Sequence, residues 1–197
     1  MTWEDAWKEG RTRWDAGDSA PALKKLVESG SLPSGRALVP GCGTGYDLLT
    51  LSRAVDQVVG IDLAPTAKRA FDGFVEERGL DPARTQYLVE DFFAFAPEAP
   101  FDLFWDYTFL CAIDPDRRQD WARRVDELVA EGGELVTLIF PVVDEPMNPG
   151  GPPHPMSPDL VRDLLEPRWT PTHLEPVEVS HPGRQGKEWL GRWRRKG

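Results

Sequence analysis

Glycines at 41, 43 and 45, an aspartate at 62 and another at 91 are the residues whose types and spacing could do chemistry. The glycines stand in Leu38-Val39-Pro40-Gly41-Cys42-Gly43-Thr44-Gly45, between the apolar run at 37–39 and a helical pattern through Leu48, Leu49, Leu51 and Ala54. Glycine at such a turn permits a tight bend and lets a ligand approach the backbone closely. Asp62 closes a second strand-like run at 58–62, and Asp91 follows a third at 86–89. A carboxylate on the second strand end can accept hydrogen bonds from both ribose hydroxyls of a nucleoside. Asp91 sits where an adenine amino group could be reached, with Phe92 beside it to lie against the ring. Each acid alone is equally an ordinary strand-end or N-cap residue. A glycine turn with two acids on successive strand ends points to a bound nucleoside. The third glycine falls at the fifth place and Tyr46 at the sixth, which departs from G-x-G-x-x-G and disfavours nicotinamide and flavin cofactors. No Gly-Lys-Ser/Thr follows, so a phosphate loop is excluded.

The elements that must position these residues alternate. Strands are expected at 37–39, 58–62, 86–89, 101–107 and 134–140, with helices after the glycine turn, at 66–78 capped by Gly79, and at 115–130 terminated by Gly132-Gly133. Alternating strands and helices imply a parallel sheet with right-handed crossovers. Ahead of it, 3–30 reads as helical but interrupted at Gly17-Asp18, Trp3 and Trp7 sharing one helix face. Behind it, 141–158 holds seven prolines and two glycines and reads as a long loop, either a lid or a plain surface loop. A helix at 158–165 and two strands, about 173–180 and 187–194 around Pro182-Gly183, complete the chain. The fold class is therefore α/β, a doubly wound, mostly parallel, seven-stranded sheet. One domain is expected over 1–197, with a helical cover at 1–35, a core at 36–140, and loop, helix and strands at 141–197.

Composition sets outer limits. Of 197 residues 40% are apolar, enough for a core, and 33 acidic against 23 basic residues give a net charge of −10. That balance repels a phosphate backbone and argues against nucleic acid. The basic cluster Arg192, Arg194, Arg195 and Lys196 is expected to be a solvated end. Two cysteines, Cys42 and Cys111, are too few for a disulfide framework or a zinc site, and no metal is expected. Residues 1–13 lack a signal-peptide pattern, and no run nears the ~18 apolar residues of a membrane span. The expectation is a cytoplasmic protein, monomer or weak homodimer, independent of membranes.

Across about 36–140 the sequence resembles the class I S-adenosylmethionine-dependent methyltransferases. Three segments sharpen this: Trp3-Glu4-Asp5-Ala6-Trp7-Lys8-Glu9-Gly10-Arg11-Thr12-Arg13-Trp14-Asp15, Val39-Pro40-Gly41-Cys42-Gly43, and Asp106-Tyr107-Thr108-Phe109-Leu110-Cys111-Ala112-Ile113. Together they resemble the thiopurine methyltransferase superfamily, and within it the thiol and halide methyltransferases. The resemblance implies a Rossmann-like fold and S-adenosyl-L-methionine as cofactor, leaving S-adenosyl-L-homocysteine. It implies that Trp3, Trp7 and Trp14 cover the cofactor and that Pro40, Gly41, Gly43 and Gly45 cradle it. Asp62 and Leu63 then hold the ribose side, Asp91 and Phe92 the adenine, and Tyr107 stands beside the methionine end and reacting methyl. Spacing alone reads the three tryptophans as an apolar helix face packed on the sheet, and the resemblance reverses that reading.

Methyl transfer from a sulfonium is an in-line displacement, so the protein contributes mainly alignment and exclusion of water. An alcohol or amine acceptor would also need a base; a thiolate or halide arrives already anionic. Amino-methylating enzymes carry [DN]-P-P-[YF] after the fourth strand, whereas this chain has Asp106-Tyr107-Thr108-Phe109. His154, His173 and His181 all fall beyond 150 and are expected at the surface, and Cys111 is expected to be a buried small residue. The acceptor is therefore expected to be a small soft nucleophile such as halide, bisulfide, thiocyanate or a small thiol. Tyr107 would hold it in a dry site walled by Phe92, Phe109 and the N-terminal tryptophans. Asp106 is a further candidate for orienting it, or else a carboxylate bonded to backbone amides. Rival readings are a larger aromatic or heterocyclic thiol as acceptor, and a protein that binds the cofactor without turnover.

Overall fold

The largely apolar runs at 37–40, 58–61, 101–106 and 133–139 become strands buried on both faces, as interior parallel pairing requires, while the run at 85–89 stays largely open. The computed structural model describes residues 2–78 and 83–196, and the chain groups into two units, 1–96 and 97–197. Its seven strands form a mixed sheet, mostly parallel, with helices flanking it.

In residues 1–96, β1 (Arg36–Pro40), β2 (Gln57–Asp62) and β3 (Thr85–Val89) run parallel in the order β3-β2-β1, Leu38 lying opposite Val59 and Ile61 opposite Leu88. Before them come α1 (Trp3–Lys8), started by a Thr2–Asp5 capping box, and α2 (Pro21–Glu28), started by its proline and burying Ala22, Leu23 and Leu26. The crossover helices are α3 (Tyr46–Leu51), only six residues long, and α4 (Pro65–Arg78), which turns Ala67 and Phe71 inward. Gly79, the expected cap, lies outside the described residues.

In residues 97–197, β4 (Phe101–Tyr107) pairs in parallel with β5 (Val129–Ile139), β5 pairs antiparallel with β7 (Trp189–Arg195), and β7 antiparallel with β6 (Trp169–Pro176). Trp105, Trp121, Trp169 and Trp193 are fully buried here. Four large rings in one core explain how α5 (Arg118–Leu128) and α6 (Pro158–Leu165) can be short and polar outside yet well held.

Several expectations shift. The helix read at 115–130 is a 3-10 turn (Pro115–Arg117) followed by α5, which ends at Leu128. Gly132-Gly133 does not terminate it. Gly132 takes φ +78° inside β5, and a Cβ on Gly133 would lie 3.1 Å from the Asp102 carbonyl, so the pair builds the irregularity where β5 joins β4. β6 begins at Trp169, earlier than read, because Trp169 is a core residue. The C-terminal basic cluster is a solvated end only at Arg194 and Lys196, which are exposed. Arg192 forms a bidentate pair with buried Glu134 on β5, Arg195 reaches the Val129 carbonyl at 3.1 Å, and Lys196 bonds the Glu166 carbonyl. His181 is buried rather than superficial. The proline-rich segment is irregular as read, and its ends are tied down: the Met156 amide donates to the Pro141 carbonyl, and the His154 amide to that of Cys111. Among the described residues no helix is long and apolar enough to cross a membrane.

Candidate active site

In residues 1–96 the glycine turn is built by backbone geometry. Gly41, Gly43 and Gly45 all take left-handed φ, at 57°, 53° and 80°. A side chain at Gly45 would collide with the Phe71 ring, its Cβ 2.4 Å away. The Gly43 peptide is gripped at both ends: its N–H donates to Asp62 Oδ2 at 3.0 Å, and its carbonyl accepts from the Tyr87 hydroxyl at 2.8 Å. The Ala64 amide donates to Asp62 Oδ1 at 2.9 Å. A carboxylate offers about four lone-pair sites, more than these amides occupy. Burial raises the Asp62 carboxyl above its ordinary value, while the amides of Ala64, Gly43 and Leu63 pull it back. Leu63 next to it is 53% exposed, an apolar side chain left open at the strand end.

Asp91 is exposed and caps the turn after β3, accepting the Phe93 amide at 2.9 Å. Phe92 is buried and meets Phe93 at 75°, whereas Leu63 is open to solvent.

The tryptophans are not a helix face packed on the sheet. Trp3, Trp7 and Trp14 are part-exposed and meet edge to face, Trp14 lying 5.2 Å from Trp3 and 6.0 Å from Trp7. Trp7 covers Gly43, where an added Cβ would lie 3.4 Å from its ring. Three acidic contacts clamp this cover. Glu4 accepts the Thr66 amide and hydroxyl at the start of α4, Asp15 accepts the Thr44 hydroxyl at 2.7 Å, and Asp47 accepts from Ser19 and Ala20. None of these three, nor Tyr87, stood out in the sequence, since each partner lies 27 to 62 positions away.

In residues 97–197 the two candidate groups separate. Asp106 is buried with both oxygens engaged, Oδ1 accepting the Leu110 amide at 3.1 Å and Oδ2 the Trp121 indole N–H at 2.9 Å. Burial pushes its carboxyl up to about 6 despite those bonds. It fixes the segment after β4 and has no oxygen turned to an acceptor. Tyr107 is the opposite case. Its hydroxyl donates to Glu188 Oε1 at 2.5 Å and accepts from Arg184, whose guanidinium lies 5.0 Å from the Tyr107 ring centroid and 4.8 Å from that of Phe140. Burial, above all, raises the Tyr107 phenol above its ordinary value; Arg184 lowers it and Glu188 raises it. Thr108, directly after, holds φ +67°, a strained conformation for a β-branched residue. Burial pushes the Cys111 thiol up to about 12, which leaves it inert as a nucleophile.

The whole of 1–196 matches the thiopurine S-methyltransferase family. The chain belongs to that family. It is an S-adenosylmethionine-dependent S-methyltransferase. It is 43% identical to probable thiol methyltransferase 2 of Arabidopsis thaliana and 39% identical to thiocyanate methyltransferase 1 of Brassica oleracea, in each case over 98% of this chain and 84% of the relative. The N-methyltransferase NodS of Bradyrhizobium japonicum, solved with S-adenosyl-L-homocysteine, shares the fold with a TM-score of 0.75 over 98% of both chains at 19% identity.

For a thiopurine S-methyltransferase family member the donor has to be held by its nucleoside. The turn at 41–45 fits such a group: a backbone that a side chain at Gly45 would spoil, an acid braced from two amides, and an exposed leucine beside that acid. Arg184 and Glu188, which carry no motif, are the members of the Tyr107 cluster that the sequence left unmarked.

Proposed function

We propose that this chain, acting as one methyltransferase domain, transfers the methyl group of S-adenosylmethionine to a small soft nucleophile: thiocyanate, bisulfide, a small thiol or a heavy halide. Asp62, Leu63 and the 41–45 turn hold the nucleoside under Trp3, Trp7 and Trp14, with Asp91 at the adenine edge. The acceptor sits at the Arg184 side of Tyr107. The cofactor supplies an electrophilic methyl on a positive sulfur; the chain's residues bind, align and dry the reacting groups.

One observation carries this reading. The Arg184 guanidinium carbon lies 5.0 Å from the Tyr107 ring centroid and 4.8 Å from that of Phe140, and the group bonds the Tyr107 hydroxyl, which places a cation in aromatic surroundings. A weakly hydrated anion gains the charge of such a site while losing little hydration, whereas chloride loses more. The names of the two plant relatives point the same way.

The test offers purified protein and S-adenosylmethionine a panel of iodide, bromide, bisulfide, thiocyanate and an aryl thiol. Volatile methyl products and S-adenosylhomocysteine are measured. Turnover with thiocyanate, bisulfide and iodide is expected. Turnover with the aryl thiol alone, or with none of them, overturns the reading.

A further inference from the structure

We infer that the Tyr107 hydroxyl and Glu188 form a proton relay that lets this enzyme accept small thiols in their protonated form, in addition to nucleophiles that arrive as anions. The inference rests on the acceptor reading above and extends it to the acceptor's protonation state.

Glu188 just precedes β7, held by its own carbonyl, which accepts the Val177 amide at 3.1 Å. It is 1% exposed. Oε1 accepts a hydrogen bond from the Tyr107 hydroxyl at 2.5 Å, while Oε2 is buried and makes no hydrogen bond among the described residues. A purely structural carboxylate buried this deeply would have both oxygens satisfied. A buried carboxylate with one oxygen unpartnered and the other bonded to a tyrosine hydroxyl is a group that can receive that hydroxyl's proton. Arg184 donates to the same hydroxyl, so negative charge passing through Tyr107 is met by a fixed cation. The other titratable group facing Arg184 is the Cys111 thiol, which also feels Asp106 and Arg118.

The step balances. The acceptor S–H proton moves to Tyr107 Oη as the proton of Tyr107 moves to Glu188 Oε1. The freed sulfur pair forms the new S–C bond to the methyl carbon. The old C–S bond breaks with its pair going to the donor sulfur, which becomes a neutral thioether. Glu188 later releases its proton to water. Tyr107 touches the acceptor; Glu188 acts through it.

The experiment compares wild type, Glu188→Gln and Tyr107→Phe on two acceptors from pH 6 to 9. Thiocyanate carries no proton in that range. The thiol chosen is a cysteinyl one, which titrates at ~8.5. Without a relay, kcat/KM for the thiol climbs about tenfold per pH unit below its pKa, following the thiolate fraction. With the relay the wild-type thiol profile is shallower, and Glu188→Gln restores the steep slope. At pH 7 the thiol-to-thiocyanate ratio then falls at least tenfold. Calorimetric affinity for S-adenosylhomocysteine reports on folding of each variant. Should Glu188→Gln misfold, Tyr107→Phe must produce the same loss of ratio. An unchanged ratio and slope in the folded variants overturns the relay, even where thiocyanate turnover upholds the acceptor reading. Wild-type inactivity toward both acceptors overturns both.

Discussion

Replacing Asp62 separates its observed bracing of the glycine turn from the ribose-binding role proposed for it. Its oxygens accept the Gly43 and Ala64 amides at 3.0 and 2.9 Å, which ties the glycine turn to the start of the next helix. A hydrogen bond to a charged acceptor contributes roughly 1.5–3 kcal/mol, less where water can replace it at a part-exposed site. Taking about 1 kcal/mol for each bond, Asp62→Ala should cost about 2 kcal/mol of stability, and at ~2 kcal/mol per M of urea the midpoint falls by about 1 M. Loss of even one bond to a ribose hydroxyl removes a further ~1.5–3 kcal/mol from cofactor affinity, at least tenfold in Kd. Asp62→Asn refines the comparison. Its single oxygen can serve one amide, but its NH2 then faces the other amide, donor against donor, so the stability loss persists in part. The assays are urea unfolding and calorimetric titration with S-adenosylhomocysteine. Stability lost with affinity intact would reduce Asp62 to a brace for the turn and refute the nucleoside site.

Arg184→Lys keeps the charge but loses the guanidinium held beside the Tyr107 and Phe140 rings; a cation–π contribution of ~0.5–2 kcal/mol predicts a KM for thiocyanate raised about 2- to 30-fold, with kcat changed less. An unchanged KM would move the anion elsewhere. Thr108→Gly relieves the strain at φ +67° at the cost of backbone freedom, so stability should stay within ~1 kcal/mol while kcat falls as Tyr107 loosens; steady-state kinetics with undiminished kcat refutes it. Burial holds the Asp106 carboxyl near 6, above its unfolded value of 3.8, so the folded state binds the proton more tightly and stability is lost as pH rises between the two. The stability advantage of wild type over Asp106→Asn should therefore shrink by ~2 kcal/mol from pH 4.5 to 7 in urea titrations, and a constant advantage refutes it.

What the sequence made legible divides along a physical line. The glycine turn could be read because left-handed φ and close packing on Phe71 force the residue type at each position. The parallel core could be read because strands covered on both faces leave unbroken apolar runs. Gly132-Gly133 misled because a glycine pair serves a helix stop and a strand bulge equally well, and the choice was made by pairing with β4. The basic C-terminus misled because local charge density says nothing about Glu134, buried on a strand 58 residues away.

The same division explains the candidate site. Where a ligand is held by the backbone, the chain must spend particular residues in consecutive positions, and a motif results. Where a ligand is held by side chains, any segment that the fold delivers can contribute, and no motif results. Tyr107 was visible because it stands in the Asp106–Ile113 segment that carries the family resemblance; Arg184 and Glu188 arrive from a turn ordered by the Arg184 amide on the His181 carbonyl and the Lys187 amide on that of Arg184. The cofactor side of such an enzyme is thus tied to its sequence more tightly than the acceptor side. Substitutions within the 182–188 turn could therefore change the acceptor while the cofactor residues stay as they are.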